Sequence, residues 1–155
     1  DADDAPQKVA AVVQQQLQKA LPGLTITLKV EPKKQRVQDM QDGNFQLGLT
    51  RWGPDYADPM TYLGMWVTDN SNNYGLWSNS DYDKIIAECT TGKRATDTQG
   101  RWDRLYDAEK IVMDDAVIFP LYTQCNAEMV SSKVTGIEYH PVALNRVYKD
   151  AVKSE

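Results

Sequence analysis

The densest chemistry in this chain lies in one run, Arg51-Trp52-Gly53-Pro54-Asp55-Tyr56-Ala57-Asp58-Pro59. Glycine lets a ligand approach the backbone, tryptophan supplies an apolar wall, and Asp55 offers a carboxylate for a cation. A primary ammonium held by a partly desolvated carboxylate gains a charge-assisted hydrogen bond, so an amine is the ligand such a run suits. The bland alternative is that both aspartates cap turns. Asp58, directly before Pro59 and a helix-like segment, fits an N-cap, whereas spacing alone leaves Asp55 open between cap and ligand. A pair of carboxylates can also serve hydrolysis, but three-residue spacing and a capping Asp58 argue against a glycosidase-like device. His140, the one histidine, sits in IEYHPVAL and reads as a turn or surface residue rather than a catalytic base. Cys89 and Cys125, without CxxC or HxxxH spacing, give no zinc pattern. They read either as one disulfide of an exported protein or as two small buried hydrophobes.

The elements that must position that run form an α/β pattern. APQKVAAVVQQQLQKALPG places Val9, Val12, Val13, Leu17 and Ala20 at helical spacing, with Pro6 in the first turn and Pro22-Gly23 as a stop. TITLKVEP alternates Ile26, Leu28 and Val30 with polar residues, a half-buried strand. KKQRVQDMQDG predicts a short helix ended by Gly43, and NFQLGLTRW a second strand with Phe45, Leu47 and Leu49 on one face. The run from Arg51 therefore follows a strand end, where open α/β sheets place ligand crevices. PMTYLGMW predicts a short helix with Asp58 as N-cap, and TDNSNNYG a polar loop. SDYDKIIAEC is an amphipathic helix with Tyr82, Ile85, Ile86 and Cys89 on one face, opening on a Ser80-x-x-Asp83 capping box. QGRWDRLYDAEKIVMDDA is a longer helix with the stripe Trp102, Leu105, Tyr106, Ala108, Val112 and Met113. VIFPLYTQ, NAEMVSS and VTGIEYH are strand candidates, and ALNRVYKDAVKSE is weakly patterned. Residues 1–155 show no repeat or linker and read as a single domain. A sheet starting after a helix suggests a piece of something larger.

Composition narrows the function. The 155 residues carry a net charge of −5, which gives no electrostatic footprint for nucleic acid. Hydrophobic residues at 41% and charged residues at 25% are a globular balance. No stretch approaches the roughly 18 apolar residues of a membrane span. The opening DADDAPQK has no basic or apolar leader region, as a trimmed chain would not. Nothing calls for a cofactor.

Trp52 through Pro59 resembles the W-x-x-D-Y-x-D-P signature of the oligopeptide-binding proteins of ABC importers, the extracellular solute-binding family 5. NSNNYGLWSNSDYDKII is similar to the family's asparagine pair and following helix start, and RLYDAEKIVMDDAVIFPLY to its Leu-Tyr-x-x-Ala-Glu helix and Ile-x-Pro-Leu-Tyr strand. VAAVVQQQLQKALPGLTITLKV matches its helix, loop and strand. In order, these cover nearly all of the chain.

The resemblance implies an α/β fold, part of the C-terminal lobe of a type II two-lobe binding protein with helices packed on a mixed sheet. The implied partners are an oligopeptide ligand, the remaining lobe of a longer parent chain, and the permease subunits of an ABC transporter. The implied location is periplasmic or at the cell surface, with any lipid anchor outside this chain. Residue by residue, Asp55 falls on the aspartate that holds the peptide α-amino group, Trp52 on the tryptophan beside it, and Gly53 on a backbone contact. Asn72 and Asn73 fall on the asparagine pair near the cleft, and Tyr56 points to the oligopeptide subgroup. Some members carry an arginine three residues before the tryptophan for the peptide carboxylate. This chain has Leu49 there, with Arg51 nearby, so carboxylate binding does not carry over. Main-chain capture would leave side chains in roomy pockets and need no nucleophile. The same fold also serves nickel chelates, haem, sugars or opines, and ligand sensors. A hydrolase and an aromatic docking module are the readings from other classes.

Overall fold

The computed structural model describes residues 4–125, 127–142 and 145–155. Residues 1–3 and Asn126, Ala143 and Leu144 lie outside the described residues, so part of the expected strand NAEMVSS and of the final segment is not described. The chain divides into two compact units, Asp1–Arg51 with Ser71–Leu76, and Trp52–Asn70 with Trp77–Glu155.

In the first unit, helix α1 (Asp4–Ala20) forms on the expected apolar period. It stops at Pro22-Gly23, where Gly23 takes φ +93° and the Leu21 amide still donates to the Leu17 carbonyl at 2.9 Å. Helix α2 (Lys33–Gln41) ends where Gly43 adopts φ +73°, a left-handed turn that glycine enters without a Cβ penalty. The expected strands TITLKVEP and NFQLGLTRW are a correction: neither carries a ladder among the described residues. Alternation supplies a face but no partner, and a strand exists only where a neighbouring backbone pairs with it. Leu28 and Leu47 accordingly stay 38% and 71% exposed. Two glutamines of α1 take the place of a neighbour at one residue. Gln14 Nε2 donates to the Ile26 carbonyl at 2.7 Å, and the Ile26 amide donates to Gln18 Oε1 at 2.8 Å. Lys29 then bonds the Asp39 carboxylate of α2 and Glu31, which together push its ammonium up to about 12.

The second unit holds helix α3 (Met60–Leu63), continued by a 3-10 turn at Gly64–Trp66, then α4 (Ser80–Thr90) and α5 (Thr98–Asp114). The α4 face forms as expected, with Tyr82, Ile85, Ile86 and Cys89 all buried. These pack with Leu63, Leu105, Ala108 and Val112 into one core. Tyr82 is fully buried, meets Trp77 edge-on at 5.1 Å between ring centroids, and donates its hydroxyl to the Leu63 carbonyl. Burial pushes the Tyr82 phenol up, and it pushes the Cys89 thiol up as well. Cys89 is a buried free thiol and Cys125 an exposed one, so no disulfide joins them.

Two local expectations are corrected. The cap of α4 is Asn79, whose Oδ1 accepts from the Asp81 and Tyr82 amides at 3.0 and 3.1 Å. Asp83 is not a capping-box partner of Ser80, because it accepts from the Thr68 amide at 3.0 Å and the Thr68 hydroxyl at 2.6 Å. On α5 the apolar stripe is narrower than expected. Leu105, Ala108 and Val112 are buried, whereas Trp102, Tyr106 and Met113 are 52%, 68% and 42% exposed. Packing against α4 and α3 covers only the positions of α5 that face them.

Among the described residues the sheets of this lobe segment are small. Among the described residues there are two short antiparallel pairs, β1 (Val134–Thr135) with β4 (Val152–Lys153) and β2 (Glu138–Tyr139) with β3 (Arg146–Val147). Of the three late strand candidates, VTGIEYH is the one that forms ladder among the described residues. Gly136, between β1 and β2, takes φ +75°, and a Cβ there would run into the Asp150 carbonyl. His140 is exposed, its amide donating to the Asn145 carbonyl at 3.1 Å.

Candidate functional site

The run from Trp52 to Pro59 is irregular to Pro54, bends over residues 55–58 and turns at Pro59 into α3. Its shape is held from inside the second unit. The Asp55 amide donates to Thr61 Oγ1 at 2.9 Å, and Thr61 itself is 5% exposed. The Thr61 amide donates back to the Asp58 carbonyl at 3.1 Å, and the Asp58 amide to the Tyr56 carbonyl at 2.9 Å. Asp58 Oδ1 accepts from the Met60 amide at 2.9 Å, so Asp58 does cap the short helix, as its place before Pro59 predicts.

Asp58 has a second role that the sequence analysis missed. Arg101 of α5 grips its carboxylate with two prongs, Nη1 to Oδ2 at 2.7 Å and Nη2 to Oδ1 at 2.9 Å. The Arg101 Nε donates to the Cys89 carbonyl at the end of α4, 3.0 Å away. The side chains are 19% and 30% exposed, so the pair is shielded from water on most sides. The Arg101 hydrogen bonds hold the Asp58 carboxyl below the usual carboxylate range, and the Asp58 bonds raise Arg101 in turn. A signal for this was present. Arg101 falls in register with Leu105, Ala108 and Val112 at the head of the buried stripe, and a charge in a core position demands a partner.

What this framework presents outward is Asp55. Its side chain is exposed, and among the described residues it has no hydrogen-bond or ion-pair partner. Trp52 at 42% and Tyr56 at 51% exposure stand on either side of it in sequence. Gly53 is open, with nothing within 4 Å of the place a Cβ would take. Tyr56 and Asp58 also border an open cavity of about 550 Å³, whose other walls include Met60, Thr90, Arg101 and Trp102. The structure thus collects Trp52, Gly53, Asp55 and Tyr56 on one stretch of the second unit. Asn72 and Asn73 belong to the first unit, Asn72 half-buried and Asn73 3% exposed. Leu49 is half-buried and Arg51 exposed, both also in the first unit. Chemically, an exposed carboxylate on a loop pinned by backbone bonds, with aromatic residues next to it in sequence, is an acceptor for an ammonium group.

Solved structures similar to this chain define the class. The substrate-binding domain of an oligopeptide ABC transporter from Bacillus anthracis matches 96% of this chain at a TM-score of 0.83 and 34% identity, and this chain covers 29% of it. Listeria monocytogenes OppA bound to peptide matches 96% of the chain at a TM-score of 0.79 and 37% identity, with 28% of that protein covered. The fold is that of a lobe segment of the type II, two-lobe binding proteins.

Residues 1–74 match the family of bacterial extracellular solute-binding proteins, family 5 Middle. The dipeptide-binding protein of Lactococcus lactis subsp. cremoris is 36% identical over 150 residues, 96% of this chain and 27% of that protein. The chain belongs to the family 5 solute-binding proteins. It spans about a quarter of the length of the curated relatives it matches.

Proposed function

We propose that residues 1–155 are a fragment of a larger two-lobe solute-binding protein, from its C-terminal lobe, and that this protein captures oligopeptides for an ABC importer. In this reading Asp55 receives the peptide α-amino group, Trp52 and Tyr56 wall the first residue, and Gly53 lets the peptide main chain approach. Asn72 and Asn73 fall on the asparagine pair of the family and would contact the ligand. The protein binds and hands over its ligand rather than turning it over. Its partners are the peptide, the other lobe and the permease subunits, and it works outside the cytoplasmic membrane, in the periplasm or held at the cell surface.

The observation that carries this reading is the exposed carboxylate of Asp55, without a partner among the described residues, on a loop whose backbone is fixed by Thr61 and Asp58. A carboxylate with a structural job would be consumed by a cap or an ion pair, as Asp58 is. Peptides of different sequence share the ammonium and the main chain, so an anchor on those groups suits an importer that takes many peptides.

Calorimetric titration of a mixed tri- to pentapeptide pool into the full-length parent protein tests it. A hydrogen bond to a charged group is worth roughly 1.5–3 kcal/mol, so Asp55→Ala should weaken binding by about 10- to 150-fold. N-acetylation of the peptides should do the same, and the two losses should not add. Failure of any free peptide to bind would move the ligand class to metal chelates or sugars.

A further inference from the structure

The Asp55 carboxylate is useful to an ammonium group only while it points in a set direction, and a bend of non-helical backbone does not hold direction by itself. Three of its connections do. Thr61 holds the Asp55 amide, Asp58 closes the turn onto the Thr61 amide, and Arg101 ties Asp58 to the paired helices α4 and α5. The last link is the one with reach. Arg101 lies 43 residues from Asp58 in sequence, and its three bonds join the loop to the most buried part of the second unit. A guanidinium can grip both carboxylate oxygens and still offer its Nε to a carbonyl, which an ammonium cannot do in one plane.

We propose that Arg101 is a positioning residue for ligand recognition: its two-pronged grip on Asp58, anchored at the Cys89 carbonyl, aims the Asp55 carboxylate at the ligand's amino group. The inference rests on the reading of Asp55 given above. Arg101 does not touch the ligand's amino group in this scheme, and it acts through the geometry of the loop. Its loss therefore costs selectivity for a free amine before it costs the fold.

The test compares the affinity of one tripeptide with that of its N-acetylated form in the full-length protein, for wild type and variants. The ratio of the two affinities measures how well the ammonium is held. Asp55→Ala should bring the ratio to about one, because the anchor is gone. Arg101→Met should lower the ratio about 3- to 12-fold, the loss of roughly half of one charge-assisted bond. Arg101→Lys keeps the charge and should recover thermal stability more than it recovers the ratio. Asp97→Ala removes the Asp97 Oδ1 cap on the Gly100 amide and the Asp97–Arg94 ion pair while changing neither Asp58 nor Arg101, so it should lower the melting temperature with the ratio unchanged. Asp58→Asn keeps the side chain's size and weakens the grip, and it gives the same comparison should Arg101→Met not fold. A ratio unchanged in both Arg101→Met and Asp58→Asn, with Asp55→Ala collapsing it, overturns the positioning role and leaves the anchor standing. An equal fall in Asp97→Ala also overturns it, since general loosening would then be the cause. A ratio that survives Asp55→Ala removes the anchor and the positioning role together.

Discussion

Replacing Tyr82 with phenylalanine isolates the contact that joins α4 to the end of α3, and so to the helix that follows the Asp55 loop. Tyr82 is 0% exposed, and its hydroxyl donates to the carbonyl of Leu63, a residue 8% exposed. Removing one oxygen changes the packing little. It forfeits a hydrogen bond worth about 0.5–1.5 kcal/mol net and leaves a shielded carbonyl without that donor, for a total of about 1–2 kcal/mol. In a chain of this size that should lower the melting temperature by about 2–8 °C. Tyr106→Phe is the control, because Tyr106 is 68% exposed and the same substitution there should fall within about 0.5 kcal/mol of neutral. The pH dependence adds a second readout. Burial, the main cause, raises the Tyr82 phenol in the folded protein. The unfolded chain then releases this proton first, near an ordinary tyrosine pKa of about 10. A group raised on folding contributes stability that is complete below its unfolded value and lost above it. Wild type should therefore lose about 1.4 kcal/mol more than Tyr82→Phe between neutral pH and about pH 11. Urea unfolding at both pH values, followed by circular dichroism, measures each difference. Equal stability of Tyr82→Phe and Tyr106→Phe, with parallel alkaline profiles, would refute the assignment of a buried donor at Tyr82.

Three further outcomes follow from particular contacts. Asn79→Ala should cost about 1 kcal/mol in urea unfolding through the lost α4 cap, while Ser80→Ala next to it should stay within about 0.5 kcal/mol. Gly136→Ala, at φ +75° and against the Asp150 carbonyl, should open the β1–β4 pair by about 2 kcal/mol or more. Hydrogen exchange at the Ser154 amide, which donates to the Lys133 carbonyl at 2.9 Å, reports it directly. The Arg101 hydrogen bonds hold the Asp58 carboxyl low, so their contribution is present above the ordinary carboxylate pKa of about 3.9 and fades as pH falls through the folded value. The stability gap between wild type and Arg101→Met should accordingly narrow as the solution is taken from about pH 5 to about pH 2.

The helices were legible because each carries its own period and its own stop. Val9 to Leu17 show the spacing of one helical face, half-buried apart from the exposed Val12, and Tyr82 to Cys89 that of a buried face, while Gly23 and Gly43 mark the turns that end α1 and α2. Strands were not legible in the same sense. Ile26, Leu28 and Val30 alternate as strand residues do, yet their ladder depends on a backbone elsewhere, and alternation says nothing of where that backbone is. The caps fall between these cases. Asn79 and Ser80 are both good N-cap residues, and choosing between them requires the turn geometry that the preceding loop imposes.

The same division runs through the candidate site. Asp55, Trp52 and Tyr56 stand together within five residues, so residue type and spacing were enough to pick out the surface a ligand would meet. Asp58 read correctly as a helix cap because capping is local. The stripe position of Arg101 called for a partner but did not name Asp58, because the two meet only when α5 packs against α3. A cap alone leaves an aspartate at a solvent-facing loop end free to swing with the loop. An aspartate that caps one helix and is gripped from another cannot, since either motion breaks bonds to both. Asp55 inherits that restriction three residues away, while its own carboxylate spends nothing on the fold. Separating the group that meets the ligand from the group that sets its direction leaves the first carboxylate fully available to a cation. It also makes the second, Asp58 with Arg101, the place where selectivity for an amine can be lost without touching the anchor.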